Sequence, residues 1–364
     1  MRMIARLLAL VAAMAWSVAP LTAEAPGTLA FAVHPGTTFQ TMVGFGAGFD
    51  ETTLRSIESI RAPMDRIRAY DHAVLGDDVD VLSVQNEPGI PAAWPSCLWS
   101  GEELRDFLKL LAPMVWARGL DTQFMLSEGT AWSGAWQRLL STLEDPQARR
   151  FLNIMASHSY GAPDDHARAE FAAASSRNGL PVWMSEMSLM IPPHPDDPGI
   201  NEAIRVARFL HRDLAEGHAA VWIYCFAIFT AKFQGSMGVL SPSDGPGPQR
   251  GALVVPKRLW TMANYSRFVR PGWKLMKVDG AGIDNTGFVA PDGDSFVIVA
   301  VNPTDRPQPV HYEFGDRAIG TVKAFATTNA LNLAAVPPPD AQQHRFTATL
   351  SPMSVTTFEG KLAH

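Results

Sequence analysis

The sequence predicts an α/β protein in which parallel βα units are followed by an antiparallel β domain of sandwich type. Three observations carry this. Short β-rich runs alternate with helical runs through the middle of the chain, as they do when helices cross over between parallel strands. From Val81 to Ala220 such units repeat at about 35 residues each, a length that suits either a (β/α)8 barrel or a doubly wound sheet. After about Lys277 the helical periodicity stops, and short strands separated by turn residues take over.

The elements read in order as follows. Val81–Gln85 is a buried-type strand. Glu102–Arg118 places Leu104, Phe107, Leu108, Leu111 and Val115 at helical spacing. Thr122–Leu126 is a strand and Gly134–Leu143 a helix. Asn153–Ser157, Pro181–Met184 and Ala219–Phe226 are further strands. Ala167–Ser176, Asn201–Glu216 and Lys257–Val269 are the helices between and after them. In the terminal region, Ser295–Val301 is an apolar strand that ends at the turn Asn302-Pro303-Thr304-Asp305. Val310–Phe314, Gly320–Thr327, Arg345–Leu350 and Ser354–Glu359 follow as strands, with the proline run Val336–Pro339 in a loop or at an edge.

Composition narrows the function classes. The chain has 364 residues, 47% of them hydrophobic and 18% charged, enough to bury a full core and too apolar for disorder. The net charge is −6 and there is no basic run, which argues against nucleic acid or an anionic membrane as partner. Two cysteines make neither a disulfide scaffold nor a four-thiolate zinc site. The first residues read as an address. Arg2 and Arg6 precede the apolar stretch Leu7–Leu21, and the small residues of Thr22-Ala23-Glu24-Ala25 follow, so a signal peptide over 1–23 with cleavage after Ala23 is expected. An N-terminal anchor is the alternative. An exported chain permits, without demanding, a Cys97–Cys225 disulfide.

In parallel α/β sheets the working residues sit at the carboxyl ends of the strands. Two strands here run directly into a glutamate. Val81–Gln85 leads into Asn86-Glu87-Pro88, and Val182-Trp183-Met184 leads into Ser185-Glu186-Met187. Two carboxylates facing each other across a barrel mouth are what glycoside hydrolysis needs. One serves as acid/base; the other is the nucleophile of a retaining enzyme or the base of an inverting one. The alternative for each is a solvated loop residue or a structural ion pair. Glu128 also ends a strand and reads as a cleft-wall residue. Rival motifs are weak. Gly44-Phe45-Gly46-Ala47-Gly48 puts Phe49 where a dinucleotide fingerprint needs its last small residue. No Gly-x-Ser-x-Gly elbow exists. His158, Asp164, Asp165 and His166 lie in an irregular polar stretch that does not read as a metal site. No metal or cofactor is expected.

Leu82-Ser83-Val84-Gln85-Asn86-Glu87-Pro88 with Ser96-Cys97-Leu98-Trp99-Ser100 resembles glycoside hydrolase family 30. Phe39–Ala47 resembles that family's first barrel strand, Ser157-His158-Ser159-Tyr160-Gly161 its sixth, and Trp183-Met184-Ser185-Glu186 its seventh. Asn264–Gly272 resembles the helix and turn leading into the side β-domain, and Ser354–Phe358 its last strand. The ordered set covers nearly all of the mature chain. It implies a (β/α)8-type barrel and a retaining mechanism on a β-linked glycan, with Glu87 as acid/base and Glu186 as nucleophile. The acid must hold its proton near neutral pH, so burial or the second carboxylate must raise its pKa. The nucleophile must be ionised, with Tyr160 as a hydrogen-bond donor to it. Asn86 would bond the sugar 2-OH. Trp94, Trp99 and Trp132 are candidates to stack on sugars, or else to pack in the core or rim. His158 either lines the cleft or is a satisfied strand-end histidine. Trp222 and Tyr224, on the last barrel strand, complete the implied substrate-binding set.

Two departures from the family pattern stand out. The stretch from Gly44 to Glu87 has room for one βα unit, with a helix over Thr53–Leu75, where the family has three. Six barrel strands are therefore expected, near Met42, Val81, Gln123, Ile154, Val182 and Val221, and the barrel should be incomplete. Cys225 stands where the family usually has a tryptophan. The resulting division is a signal peptide at 1–23, an N-terminal segment at 26–40 joining the β-sandwich, a gapped barrel at 41–272 and the sandwich at 273–364. The implied protein is a secreted or periplasmic monomeric endo-β-glycanase acting on xylan or glucuronoxylan. The alternatives are a β-1,6-glucanase or glucosylceramidase-like hydrolase, or a catalytically impaired glycan-binding relative. A polysaccharide or oligosaccharide is the expected partner, with no membrane span in the mature chain.

Overall fold

The computed structural model describes residues 27–48, 80–92, 97–161, 164–189, 199–230, 237–240 and 253–363. The expected signal peptide at 1–23, the helix expected over Thr53–Leu75 and the candidate Trp94 lie outside the described residues. Strands β1 (Leu29–Thr41), β2 (Gly44–Gly48) and β3 (Val81–Ser83) precede helix α1 (Gly101–Trp116). Then come β4 (Gln123–Gly129), α2 (Trp132–Leu143), α3 (Pro146–Arg149), β5 (Ile154–His158), α4 (Asp165–Asn178), β6 (Val182–Glu186), α5 (Ile200–Ala215) and β7 (Ala219–Cys225). A small sheet of β8 (Ile228–Thr230), β9 (Gly238–Leu240) and β10 (Leu253–Val254), not foreseen in the sequence, precedes α6 (Lys257–Ser266).

The parallel sheet has the order β2-β7-β6-β5-β4-β3, six strands among the described residues, with β2 and β3 at its edges. Their positions are those expected from the sequence. The helices between them form for legible reasons. Helix α1 opens on a capping box in which the Ser100 hydroxyl accepts from Glu103 N–H and the Glu103 carboxylate accepts from Ser100 N–H. It buries Leu104, Leu108 and Ala112, one stripe at a spacing of four; Phe107 falls on the exposed side. Helix α4 starts at the Asp164 cap and stops at Gly179, whose φ of 65° is left-handed. Asp164 thus caps a helix, its side chain accepting from Ala167 N–H. No helix among the described residues is long and apolar enough to cross a membrane.

The second domain departs from the sandwich of separate antiparallel sheets. It is one ten-stranded sheet in the order β16-β15-β19-β13-β12-β11-β1-β14-β18-β17. Its further strands are β11 (Lys274–Asp279), β12 (Asp284–Val289), β13 (Ser295–Asn302), β14 (Gln308–Glu313), β15 (Ile319–Thr327), β16 (Ala334–Val336), β17 (Asp340–Gln342), β18 (Arg345–Leu350) and β19 (Ser354–Leu362). The pair β1·β14 is parallel and makes the sheet mixed. The sheet folds over on itself. Phe346 on β18 and Phe358 on β19 have ring centroids 5.1 Å apart, although a flat sheet at about 4.8 Å per strand would hold them well over 20 Å apart. The sandwich is therefore made by curling a continuous sheet rather than by stacking two. Strand β13 shows why its sequence is apolar throughout. Phe296, Ile298 and Ala300 face the folded interior, while Val297, Val299 and Val301 pack with the barrel core. Asn264 on α6 fastens the domains. Its side chain donates to Thr357 Oγ1 at 2.8 Å and accepts from Thr327 Oγ1 at 2.6 Å, all buried.

Candidate active site

The carboxyl ends of β3 to β6 converge on one imidazole. His158, the last residue of β5, is fully buried. Its Nδ1 lies 3.1 Å from Glu87 Oε1 and 3.9 Å from Glu186 Oε1, and its Nε2 lies 3.9 Å from Glu128 Oε1. One carboxylate oxygen each of Glu87 and Glu186 and a ring nitrogen of His158 lie within 4.8 Å of one another. The expected pair is thus brought together, with a third carboxylate behind the ring.

The backbone is bent to achieve this. Glu87, Ser127 and Glu128 have positive φ angles of 47°, 105° and 43°, unusual for residues with a Cβ. Such conformations cost about 1–3 kcal/mol each and gather where surroundings enforce them. A register shift between Ser127 and Gly129 marks a bulge on β4, and Glu128 C=O accepts from Glu87 N–H at 3.1 Å. The strained residues hold each other. Beyond Glu87 the chain is pinned by Trp99 N–H donating to Pro88 C=O and by Arg138 Nε donating to Trp99 C=O.

The electrostatics follow from burial and from one cation among three acids. Burial would push the His158 pKa down. The approach of Glu128, the hydrogen bond to Glu87 and the charge of Glu186 outweigh it and raise the imidazole to about 9. For Glu128, burial pushes upward, but His158 and a hydrogen bond from Ser83 Oγ pull its carboxyl below the ordinary range. Glu186 goes the other way. Burial is the largest influence and the charges of Glu87 and Glu128 add to it, so its carboxyl is pushed up despite His158 and the 2.9 Å hydrogen bond from Tyr160 Oη. The Tyr160 hydrogen bond favours the ionised carboxylate, as expected of it, while burial acts the other way. Burial raises Tyr160 itself, which stays a neutral donor that also meets Ser188 Oγ at 3.2 Å.

Four candidates for the substrate-binding set are buried. Trp132 is 2% exposed and donates to Asp213 Oδ1 at 3.1 Å. Trp222 is fully buried and donates to Asp213 Oδ2 at 3.0 Å. Tyr224 is fully buried and accepts from Leu189 N–H. Indole and phenol rings with satisfied polar tips make good core residues, and these three are packed as such. His158, fully buried and hydrogen-bonded to Glu87, takes the alternative of a strand-end histidine with a partner rather than a lining one. Asn86, Trp99 and Tyr160 are half-buried beside the carboxylates. Trp99 packs edge-on against Phe107. Cys97 and Cys225 do not form the disulfide that export would permit. The buried cluster of Asp213, Arg168 and Ser159 was missed, because a charged residue inside an amphipathic helix reads as solvated.

Glu87, His158 and Glu186 are close enough to be considered as metal ligands. The chemistry of the donors argues otherwise. The His158 Nδ1 that would have to bind the ion already lies 3.1 Å from Glu87 Oε1 in a hydrogen bond.

The parallel sheet with a β domain and two glutamates brought together at its carboxyl end resembles the barrel glycoside hydrolases. Comparison with known proteins narrows the resemblance. No family model matches the chain. It is 26% identical over 291 residues to glucuronoxylanase XynC of Bacillus subtilis, across 78% of this chain and 61% of that protein. The chain thus spans about three fifths of the length of the curated relatives it matches. Its structure is similar to the family 30 subfamily 8 xylanase Xyn30A of Clostridium acetobutylicum, with a TM-score of 0.70 and 17% identity over 91% of this chain and 99% of that one. It is also similar to the endo-β-1,6-glucanase BT3312, with a TM-score of 0.64 and 14% identity over 93% and 94%. In sequence and in fold, the resemblance to glycoside hydrolase family 30 holds.

Proposed function

We propose that this chain hydrolyses a β-linked glycan with retention of configuration, Glu87 acting as acid/base and Glu186 as nucleophile. The observation that carries the reading is the approach of Glu87 and Glu186 oxygens to within 4.8 Å. Retaining enzymes hold their carboxyl groups about 5–5.5 Å apart, and inverting ones leave room for a water between them. Glu186 attacks the anomeric carbon as the Glu87 proton passes to the leaving oxygen, giving a glycosyl ester. Glu87 then takes a proton from water, which breaks that ester. Burial raises the Glu186 carboxyl, while the Tyr160 hydrogen bond and His158 favour its ionised form. Half-buried Asn86, next to Glu87, is the residue for the sugar 2-OH.

Xylan or glucuronoxylan is the substrate class favoured by the named activity of the sequence relative, and a β-1,6-glucan is the second. Export through the leader at 1–23 suits a polymer substrate. The test is reducing-sugar release from glucuronoxylan, arabinoxylan and β-1,6-glucan, with Glu186→Gln as control and the product anomer followed by NMR. Release of the β-anomer that vanishes in the control is the expected result. Release of the α-anomer overturns retention. Absence of release from a cooperatively melting chain overturns the enzyme reading and favours a glycan-binding relative.

A further inference from the structure

Glu128 is not explained by a two-glutamate mechanism. It is 7% exposed, and its side chain is turned inward by consecutive left-handed residues at a bulge. One oxygen takes the Ser83 hydroxyl and the other lies 3.9 Å from His158 Nε2. The opposite edge of that ring touches Glu87 Oε1 at 3.1 Å. We propose that Glu128 is a positioning residue, facing His158 Nε2 across 3.9 Å without a direct hydrogen bond among the described residues and, through that ring, setting the orientation and charge of the imidazole that touches the acid/base Glu87. This rests on the roles given to Glu87 and Glu186 above.

The geometry decides among the bland alternatives. A carboxylate kept only for folding stability would be paired with a permanent cation, as Asp213 is with Arg168. Glu128 instead faces a titratable ring that touches a second carboxylate. The ionisable groups facing His158 are Glu87 beyond β3, Glu128 on β4, Glu186 on β6 and, next but one along its own chain, Tyr160. Three are acids that favour the charged ring, and Tyr160 stays neutral. The ring's Nδ1–H fixes which oxygen of Glu87 is occupied, so the other, Oε2, is left to carry the travelling proton. Glu87 Oε2 is buried and has no hydrogen-bond partner among the described residues. When Glu87 becomes a carboxylate after the first step, the imidazolium stabilises it. When the acid is regenerated, the ring keeps its own proton, because Glu128 and the other acids hold it.

The test is the NMR titration of the His158 ring in the full chain, with its signals assigned by their loss in His158→Asn. In the wild type the ring keeps its proton to about pH 9. In Glu128→Gln, which preserves shape and removes the charge, the titration moves down toward the ordinary 6.5. If glycan turnover is present, kcat falls on the order of tenfold or more with KM kept. A folded Glu128→Gln whose His158 titrates as in the wild type overturns the proposal. So does a wild-type His158 that titrates near 6.5, a result that needs no variant. The NMR arm stands without activity, so a chain that releases no sugar sinks the hydrolase reading and leaves the Glu128–His158 coupling tested by itself.

Discussion

Two buried carboxylate networks lie back to back at the end of β5, and they are built on opposite plans. Consecutive residues of a strand point to opposite sides of the sheet. His158 therefore meets Glu87, Glu128 and Glu186, while its neighbour Ser159 meets Asp213 behind the sheet. Asp213 is saturated. Trp132 Nε1, Ser159 Oγ and Arg168 Nε reach its Oδ1, and Trp222 Nε1 reaches its Oδ2. The Asp213 charge is met by Arg168, which also lies 3.6 Å from the exposed Asp165 carboxylate. Around His158 there are three acids to one cation, and Glu87 Oε2 and His158 Nε2 have no hydrogen-bond partners among the described residues. The Asp213 carboxylate has both oxygens taken, although Arg168 Nη1 makes no hydrogen bond among the described residues; a carboxylate with an unspent oxygen beside excess like charge is the one poised to exchange a proton. Burial raises the carboxyl in both, at Asp213 and at Glu186, so burial alone does not tell scaffold from site. The partner count does.

The largest effects separate the two by what is lost. Asp213→Ala leaves the Arg168 guanidinium buried without its carboxylate, and removing one partner of a buried pair costs about 3–5 kcal/mol. Urea unfolding should show that loss. Glu87→Gln, by contrast, leaves no permanent cation behind, because the ring that Glu87 touches is the titratable His158. It should cost turnover by roughly 10²–10⁴ while the unfolding midpoint stays near the wild type. A Glu87→Gln protein as unstable as Asp213→Ala would mean that the His158 cluster is scaffold after all.

A smaller effect comes from pH. His158 is raised from 6.5 to about 9 by folding. Its contribution is therefore complete below about pH 6.5 and is lost as pH rises through 9. The difference in pKa corresponds to on the order of 3 kcal/mol. Glu128, pulled down, contributes above its ordinary pKa of 4.5 and loses that contribution as pH falls, outside this window. Glu216, raised to about 7 from 4.5, loses its contribution mostly before the window opens. Stability should thus decline between pH 6.5 and 9, and the decline should flatten in Glu128→Gln. An equally steep decline in that variant would assign it to other groups.

The six parallel strands and the two strand-end glutamates were legible because each depends on local pattern. An apolar run of five that stops at a polar cluster is a strand wherever it folds. Glu128 was placed at a strand end, yet not turned inward, because the left-handed pair Ser127–Glu128 carries no glycine to announce it. Asp213 and Arg168 sit on helices where charge normally meets water; only their contact across α4 and α5 hides them. The curled sheet was legible as strands and illegible as one sheet. Its continuity depends on β1 inserting beside β14, where Leu29 pairs with Val310 far along the chain.

The tryptophans show the same limit and give the smallest prediction. A tryptophan near a strand end is equally suited to a sugar face and to a core, because the ring is apolar and the Nε1–H needs one acceptor in either place. Acceptor and burial decide. The Trp132 Nε1–H lies 3.1 Å from Asp213 Oδ1 and 3.2 Å from Ser159 Oγ, and its ring stands edge-on to Phe171 at 5.1 Å. Trp132→Phe keeps the ring packing and removes the donor. Asp213 retains three of its four partners, so the loss is that of one buried hydrogen bond, about 1–2 kcal/mol. The melting temperature should fall by a few degrees and KM for the glycan should not move. A sugar platform behaves in the opposite way: the smaller ring weakens KM and the fold does not register the change. If KM rises while the melt is unaltered, Trp132 belongs to the cleft, and the Asp213 network is not the closed scaffold that sets it apart from the carboxylates around His158.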